Sequence, residues 1–133
     1  RETAFQKYIG PKGKAAVPKE RLEPDEAIKT IHDARGVSIL AHPKTLGMKR
    51  AALRDFVAYL KDMGLMGIEV FYTGYETTYS EMLTGLAKEL SLFRSGGSDF
   101  HGENKPDIKL GRGSGSLYVH PQLLDPIRSA AGR

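Results

Sequence analysis

The chain contains no cysteine. Disulfides and thiolate metal sites are excluded, so any metal must be held by His, Asp and Glu. Long apolar runs are missing too. None approaches the roughly 18 residues that a membrane span requires, and no membrane partner is expected. No apolar stretch follows Arg1-Glu2-Thr3, so no secretion signal is visible and a cytoplasmic location is expected. The first residue is Arg rather than Met, as expected of a trimmed or excised piece. There is no low-complexity tract and no short internal repeat.

What is present suits one globular domain over residues 1–133. Hydrophobic residues make up 40% and charged residues 27% of the 133, an ordinary balance. The net charge of +4 is concentrated at one end. Residues 1–21 hold six basic side chains (Arg1, Lys7, Lys12, Lys14, Lys19, Arg21) and two acidic ones (Glu2, Glu20), so the rest is neutral. Such a leader suits contact with a phosphate-bearing ligand; a solvated segment is the plainer alternative. Tyr8 to Gly13 is rich in turn formers, and Ala15–Pro18 reads as a short extended piece.

From residue 22 on, the pattern alternates. A helix starts at Pro24, with Asp25 and Glu26 at the positive end of its dipole. Ala27, Ile28, Ile31 and Ala34 form its apolar stripe, and Gly36 stops it. Val37–Ala41 reads as a buried parallel strand. A helix over Met48–Met63 carries Leu53, Phe56, Val57 and Leu60 on one face, and Gly64 stops it. Gly67–Tyr72 is the next strand. A helix from Thr78, with Thr78 and Glu81 spaced for a capping box, leads to a strand at Leu92–Arg94. Ser116–Val119 reads as one more strand. Pro121–Ala131 reads as a last helix with Leu123, Leu124 and Ile127 inside. This order predicts an α/β fold of mostly parallel strands joined by right-handed crossovers. A full barrel of eight such units needs about 200 residues or more. The chain is therefore read as a small open sheet or the C-terminal part of a barrel.

In such folds ligands bind at the C-terminal ends of the strands. His42 falls at one such end, before Pro43. Asp99 and His101 fall at another, within Ser95-Gly96-Gly97-Ser98-Asp99-Phe100-His101-Gly102. Alternation along a strand lets Asp99 and His101 face the same way. The expectation is that the three converge on a divalent metal, with Zn²⁺, Mn²⁺, Fe²⁺ or Mg²⁺ all allowed. A metal there polarises a phosphoryl oxygen and, for zinc, lowers the pKa of bound water to about 7. A hydrogen-bonded cap is the structural alternative for His42.

Glu69 lies inside an apolar strand, where a carboxylate needs a partner. It faces the same centre, accepts a hydrogen bond from a ligand imidazole, or pairs with a nearby Lys or Arg. Lys105, Lys109 and Arg112 are candidates for a substrate phosphate, or a solvated loop. His32 reads as a core-edge histidine and His120 as a loop or capping residue. Tyr72, Tyr75 and Tyr79 could stack on a base, though Tyr79 fits core packing. Gly111–Gly115 is not a phosphate loop, because the Gly-Lys-Ser/Thr ending and the following helix are missing.

Leu40-Ala41-His42-Pro43, Gly67-Ile68-Glu69-Val70 and Gly96–Gly102 resemble the later motifs of the PHP (polymerase and histidinol phosphatase) metal-dependent phosphoesterases. The branch most resembled acts on nucleotides and short RNA. The leader, from Tyr8-Ile9-Gly10 through Val17-Pro18-Lys19-Glu20, looks like that branch as well, and the similarity spans about residues 5–112. The resemblance implies a distorted (β/α)7 barrel with two or three divalent ions at its C-terminal face. It implies hydrolysis of phosphoesters by metal-activated water, on nucleoside monophosphates, 3′,5′-bisphosphate nucleotides or RNA 5′ ends. His42 matches the family's late histidine; Asp99 and His101 match its final Asp-x-His. Glu69 matches a recurring position without an implied ligand role. The opening His-x-His, the Asp after it, and the middle Glu and His ligands have no counterpart, and the first histidine is His32. The resemblance thus implies the C-terminal portion of such a domain, inactive or weak when isolated. Arg35 and Ser91 stand where glycine is usual. The rival expectations are a non-catalytic metal- or nucleic-acid-binding module, and a structural half-barrel that self-associates through unpaired strand edges.

Overall fold

The computed structural model describes residues 3, 5–10, 12–17 and 21–132. In the leader, where the sequence reads as a loop or the tail of an earlier element, Phe5–Ile9 forms a π-helical turn. Arg1 and Lys19 of the basic set lie outside the described residues, as does Pro18. The body then runs α1 (Pro24–Asp33), β1 (Ile39–Leu40), α2 (Arg50–Asp62), β2 (Gly67–Tyr72), α3 (Thr77–Glu89), β3 (Phe93–Gly97) and α4 (Leu124–Ala130). Short 3-10 turns lie at Pro43–Leu46, Gly102–Asn104 and Pro121–Leu123.

The three strands form one parallel sheet in the order β1-β2-β3. Parallel strands need crossovers, and α2 and α3 supply them. β2 is central, and its first four residues are buried, as expected of a strand covered on both faces. Leu53, Val57 and Leu60 of α2 and Leu83, Leu86 and Ala87 of α3 bury their stripes with Ile68 and Val70 of β2. Each such large side chain contributes about 1.5–3 kcal/mol on burial. This core sets the strand ends, and the strand ends set the site.

Several expectations need correction. β1 is only two residues long: its pairing with β2 opens on the Ser38 carbonyl, which accepts the amides of Met66 and Gly67 at 3.1 and 3.0 Å, and the left-handed turn at His42 follows soon after. The α3 capping box is not formed. The helix starts one residue earlier, with Glu76 as its cap residue and no side-chain cap bond. Ser116–Val119 is not a strand; only single bridges join Lys109 to Arg112 and Arg112 to Tyr118. In α1 only Ile28 is buried; Ile31 is 39% exposed. Leu124 is likewise exposed.

The helix exits share one device. The amides of Gly36, Leu65 and Leu92 reach back five residues to the carbonyls of Ile31, Leu60 and Ala87 at 2.7, 3.0 and 2.8 Å. Each bond requires a left-handed residue just before it. At α2 this is Gly64, with φ 104°; at α1 and α3 it is Arg35 and Ser91, with φ 57° and 53°. The stop of α1 is therefore Arg35. Gly36 is small for another reason: a Cβ there would lie 2.8 Å from the Ile31 side chain. Left-handed backbone costs an L-residue about 1–2 kcal/mol. Arg35→Gly and Ser91→Gly are each expected to raise stability by about 0.5–1 kcal/mol after the entropy of glycine is charged against the gain. Urea denaturation of the two variants checks this.

Candidate functional site

The C-terminal ends of β1, β2 and β3 open into one cavity of about 730 Å³. His42, Glu69, Tyr72, Asp99 and His101 line it. The far wall is built by the chain beyond β3, including Leu110, Tyr118, His120 and Ile127.

His42 follows β1 with φ 50° and ψ 46°. This is left-handed backbone, in a residue that Pro43 would push toward extended geometry. Strain of this kind persists only where the surroundings enforce it. The Glu69 Oε2 accepts the His42 backbone N–H at 2.9 Å, and the Thr45 amide and hydroxyl bond the His42 carbonyl at 2.9 and 2.8 Å. The ring of His42 packs edge-on against Tyr72, with centroids 4.4 Å apart. Asp99 shares the strain, at φ 63°. Two of the three proposed ligands are thus held in left-handed turns, one beyond each outer strand.

Glu69 is 8% exposed. Among the described residues no ammonium or guanidinium pairs with it, so the ion-pair alternative is not observed. Its one hydrogen bond goes to a backbone amide rather than to an imidazole. The register slips between Glu69 and Phe71 against β3, leaving β2 one residue longer there, a bulge that re-aims side chains. Gly97 lies under the carboxylate: a Cβ on it would fall 3.0 Å from Glu69 Oε1.

Asp99 and His101 are adjacent. His101 Nδ1 lies 2.7 Å from the Asp99 carbonyl oxygen. A carbonyl only accepts, so Nδ1 carries the proton and Nε2 keeps a free lone pair. That is the tautomer a metal ligand needs. The Asp99 carboxylate is paired with the Lys105 ammonium. The bonded Lys105 holds the Asp99 carboxyl below the usual range, against the opposing pull of burial. Burial, followed by the Asp99 charge, pushes the Tyr72 phenol up.

As they stand, His42, Asp99 and His101 share the cavity but do not form a three-donor cluster; no group of three His, Asp or Glu suited to one ion exists among the described residues. The donor chemistry nevertheless fits a divalent cation. A cation already sits on Asp99 in the form of Lys105, a free imidazole nitrogen stands beside it, and a buried carboxylate has no counter-charge.

The other candidates fall apart spatially. Lys105, Lys109 and Arg112 are not part of the cavity wall. Lys105 is bound to Asp99, Arg112 lies over the Tyr118 ring at 4.8 Å, and the Lys109 backbone pairs with Arg112. His32 bonds Ser38 Oγ at 3.1 Å, the core-edge role expected of it. Tyr72, Tyr75 and Tyr79 pack tilted and edge-on against one another, with centroids 5.4 and 5.0 Å apart, and of the three only Tyr72 lines the cavity. Burial pushes the Tyr75 phenol up to about 12.

Two features escaped the sequence. The left-handed turns at His42 and Asp99 carry no signal, since His before Pro reads as extended. Ser98 is the second. Its side chain is buried, Oγ accepts the Gly111 N–H at 3.1 Å, and its carbonyl accepts from Thr73 Oγ1 at 2.9 Å. It ties the far wall to the residue before Asp99.

No family model matches the chain. Its fold is similar to that of a Bifidobacterium adolescentis protein described as a metal-dependent phosphoesterase. The TM-score is 0.69 at 26% identity, over 99% of this chain and 46% of that one. The likeness is thus to the metal-dependent phosphoesterases. The sequence is 38% identical to a 5′-3′ exoribonuclease of Haemophilus influenzae, over 74% of this chain and 36% of the relative. It is 29% identical to a 3′,5′-nucleoside bisphosphate phosphatase of Chromobacterium violaceum, over 94% of this chain and 42% of the relative. These are the enzyme types that the motif resemblance named. The chain spans between about a third and two fifths of the length of these curated relatives. No helix is long and apolar enough to cross a membrane among the described residues.

Proposed function

We propose that the protein is a metal-dependent phosphoesterase acting on nucleotides or RNA 5′ ends, and that this chain supplies its late metal ligands. The observation that carries the reading is the cavity at the strand ends, with His42 and Asp99 both held in left-handed turns beside a free His101 nitrogen. The three strands are then part of a distorted (β/α)7 barrel whose remaining ligands lie outside these 133 residues. A divalent cation bound there would supply Lewis-acid polarisation of a phosphoryl oxygen and a hydroxide near neutral pH.

This chain's own residues perform the rest. Asp99 Oδ atoms, His101 Nε2 and the His42 ring are the donors. Glu69 fixes the His42 turn through its backbone amide. Lys105 neutralises Asp99 until a stronger cation competes, and then is free to meet an anionic substrate. The aromatic and aliphatic far wall limits water around the reacting centre.

The full protein with Mn²⁺ is expected to hydrolyse a nucleoside monophosphate or a 5′-phosphorylated oligoribonucleotide, and a chelator to abolish this. The isolated 133-residue chain is expected to show little turnover, because two-metal chemistry needs ligands placed to within about 0.5 Å. Phosphate release with and without chelator tests both. Chelator-insensitive release, or none from the full protein on either substrate class, would overturn the reading.

A further inference from the structure

His120 is the one histidine of the cavity that the proposed chemistry leaves without a task. It lines the same cavity as His42, Glu69, Asp99 and His101, from the opposite wall. Its Nδ1 accepts the Gln122 backbone N–H at 3.3 Å, capping the turn Pro121–Leu123. A ring nitrogen that accepts carries no proton. In the neutral imidazole the proton is therefore on Nε2, which is left as a donor.

The placement is firm. The capped turn packs against β3, the strand that leads into Asp99. Val119, the residue before His120, donates its amide to the Gly111 carbonyl at 2.9 Å, and Gly111 donates to Ser98 Oγ at 3.1 Å. Two hydrogen bonds thus connect the His120 backbone to the neighbour of Asp99. Tyr118 stands edge-on to the ring, centroids 5.8 Å apart, and Leu123 and Ile127 line the same wall. His120 itself is exposed, which leaves its ring accessible to a ligand entering the cavity.

We propose that His120 is a substrate-binding residue whose Nε2–H donates to a phosphoryl oxygen of a nucleotide held in the cavity. This rests on the phosphoesterase reading and names a contact within it. The cap expected from the sequence is real, but it occupies only one of the two ring nitrogens.

Two substitutions separate the duties. His120→Asn retains an oxygen able to cap and withdraws the donor at the Nε2 position. His120→Gln places an amide N–H near that position and gives up the cap. The experiment is calorimetric titration of the Mn²⁺-loaded full protein with a non-hydrolysable nucleoside 5′-phosphonate, with the thermal midpoint measured alongside. His120→Asn is expected to bind about tenfold or more weakly at an unchanged midpoint, the scale of one hydrogen bond to a charged acceptor. His120→Gln is expected to bind within about threefold of the parent while its midpoint falls. Parent-like affinity in His120→Asn would overturn the proposal, as would losses that merely follow the midpoint in both variants. If the unsubstituted protein binds no nucleotide analogue, the phosphoesterase reading fails first and this contact with it.

Discussion

Glu69→Ala is expected to destabilise the protein by about 2–3 kcal/mol and to remove divalent-metal binding at the strand ends. The stability term arises from the backbone. Glu69 Oε2 is the acceptor for the His42 amide, and an orphaned buried donor costs about 1–3 kcal/mol. Truncation also leaves a void beside Gly97, over which the carboxylate lies. The functional term arises from the turn. Without that acceptor the His42 turn is left to the Thr45 amide and hydroxyl, which bond the His42 carbonyl at 2.9 and 2.8 Å, and its ring is expected to shift from Tyr72. Glu69→Gln separates the two effects. Its carbonyl oxygen still accepts the amide, so stability is expected within about 1 kcal/mol of the parent, while the lost charge weakens metal binding. Denaturation midpoints and Mn²⁺ titration of both variants decide the matter. Equal destabilisation by Gln and Ala would show that the hydrogen bond is not what holds the turn.

Asp99→Asn is expected to lower hydrolysis by the full protein by at least the roughly 10–100-fold seen when groups that merely orient metal ligands are removed. Little stability should go with it. Asn tolerates left-handed backbone as well as Asp does, and φ here is 63°. The pair lost with Lys105 is partly exposed, and such pairs contribute about 0–1 kcal/mol. Asp99→Ala is the poorer probe, because it adds backbone strain to the lost ligand. Activity and Mn²⁺ affinity measured on Asp99→Asn give the answer. Unchanged metal affinity would remove Asp99 from the donor set.

How much could be seen in advance differs by element. The stripe Leu53, Val57 and Leu60 and the run Gly67–Tyr72 are written in apolar spacing, and both were legible because tertiary packing reinforces the local pattern. Ser116–Val119 reads as a strand by its composition, yet among the described residues its only pairing is the single bridge of Tyr118 to Arg112, with the Val119 amide taken by the Gly111 carbonyl. Thr78 and Glu81 have capping-box spacing, but Glu76 precedes the helix and bonds Lys44 across the strand-end loops at 3.1 Å. The cap residue is thus Glu76, two positions before the Thr78 that the local rule names. At the site, residue types and strand-end positions were visible. The left-handed turns were not; at His42 the amide bonds Glu69 from 27 positions away, a partner that no local pattern reveals.

The same physics governs Arg35 and Ser91. The family resemblance marks both as places where glycine is usual, and the structure supplies the reason in their positive φ. A departure from pattern that looked incidental in the sequence is a conformational cost in the folded chain.

Ser98 has a further consequence, one of timing. Its hydroxyl fastens Gly111 while its carbonyl takes the Thr73 hydroxyl, so the far wall cannot swing outward without first detaching from the strand that leads to Asp99. Deuterium uptake at the Gly111 amide therefore acts as a clock for that detachment, and a ligand bridging the two walls would slow it.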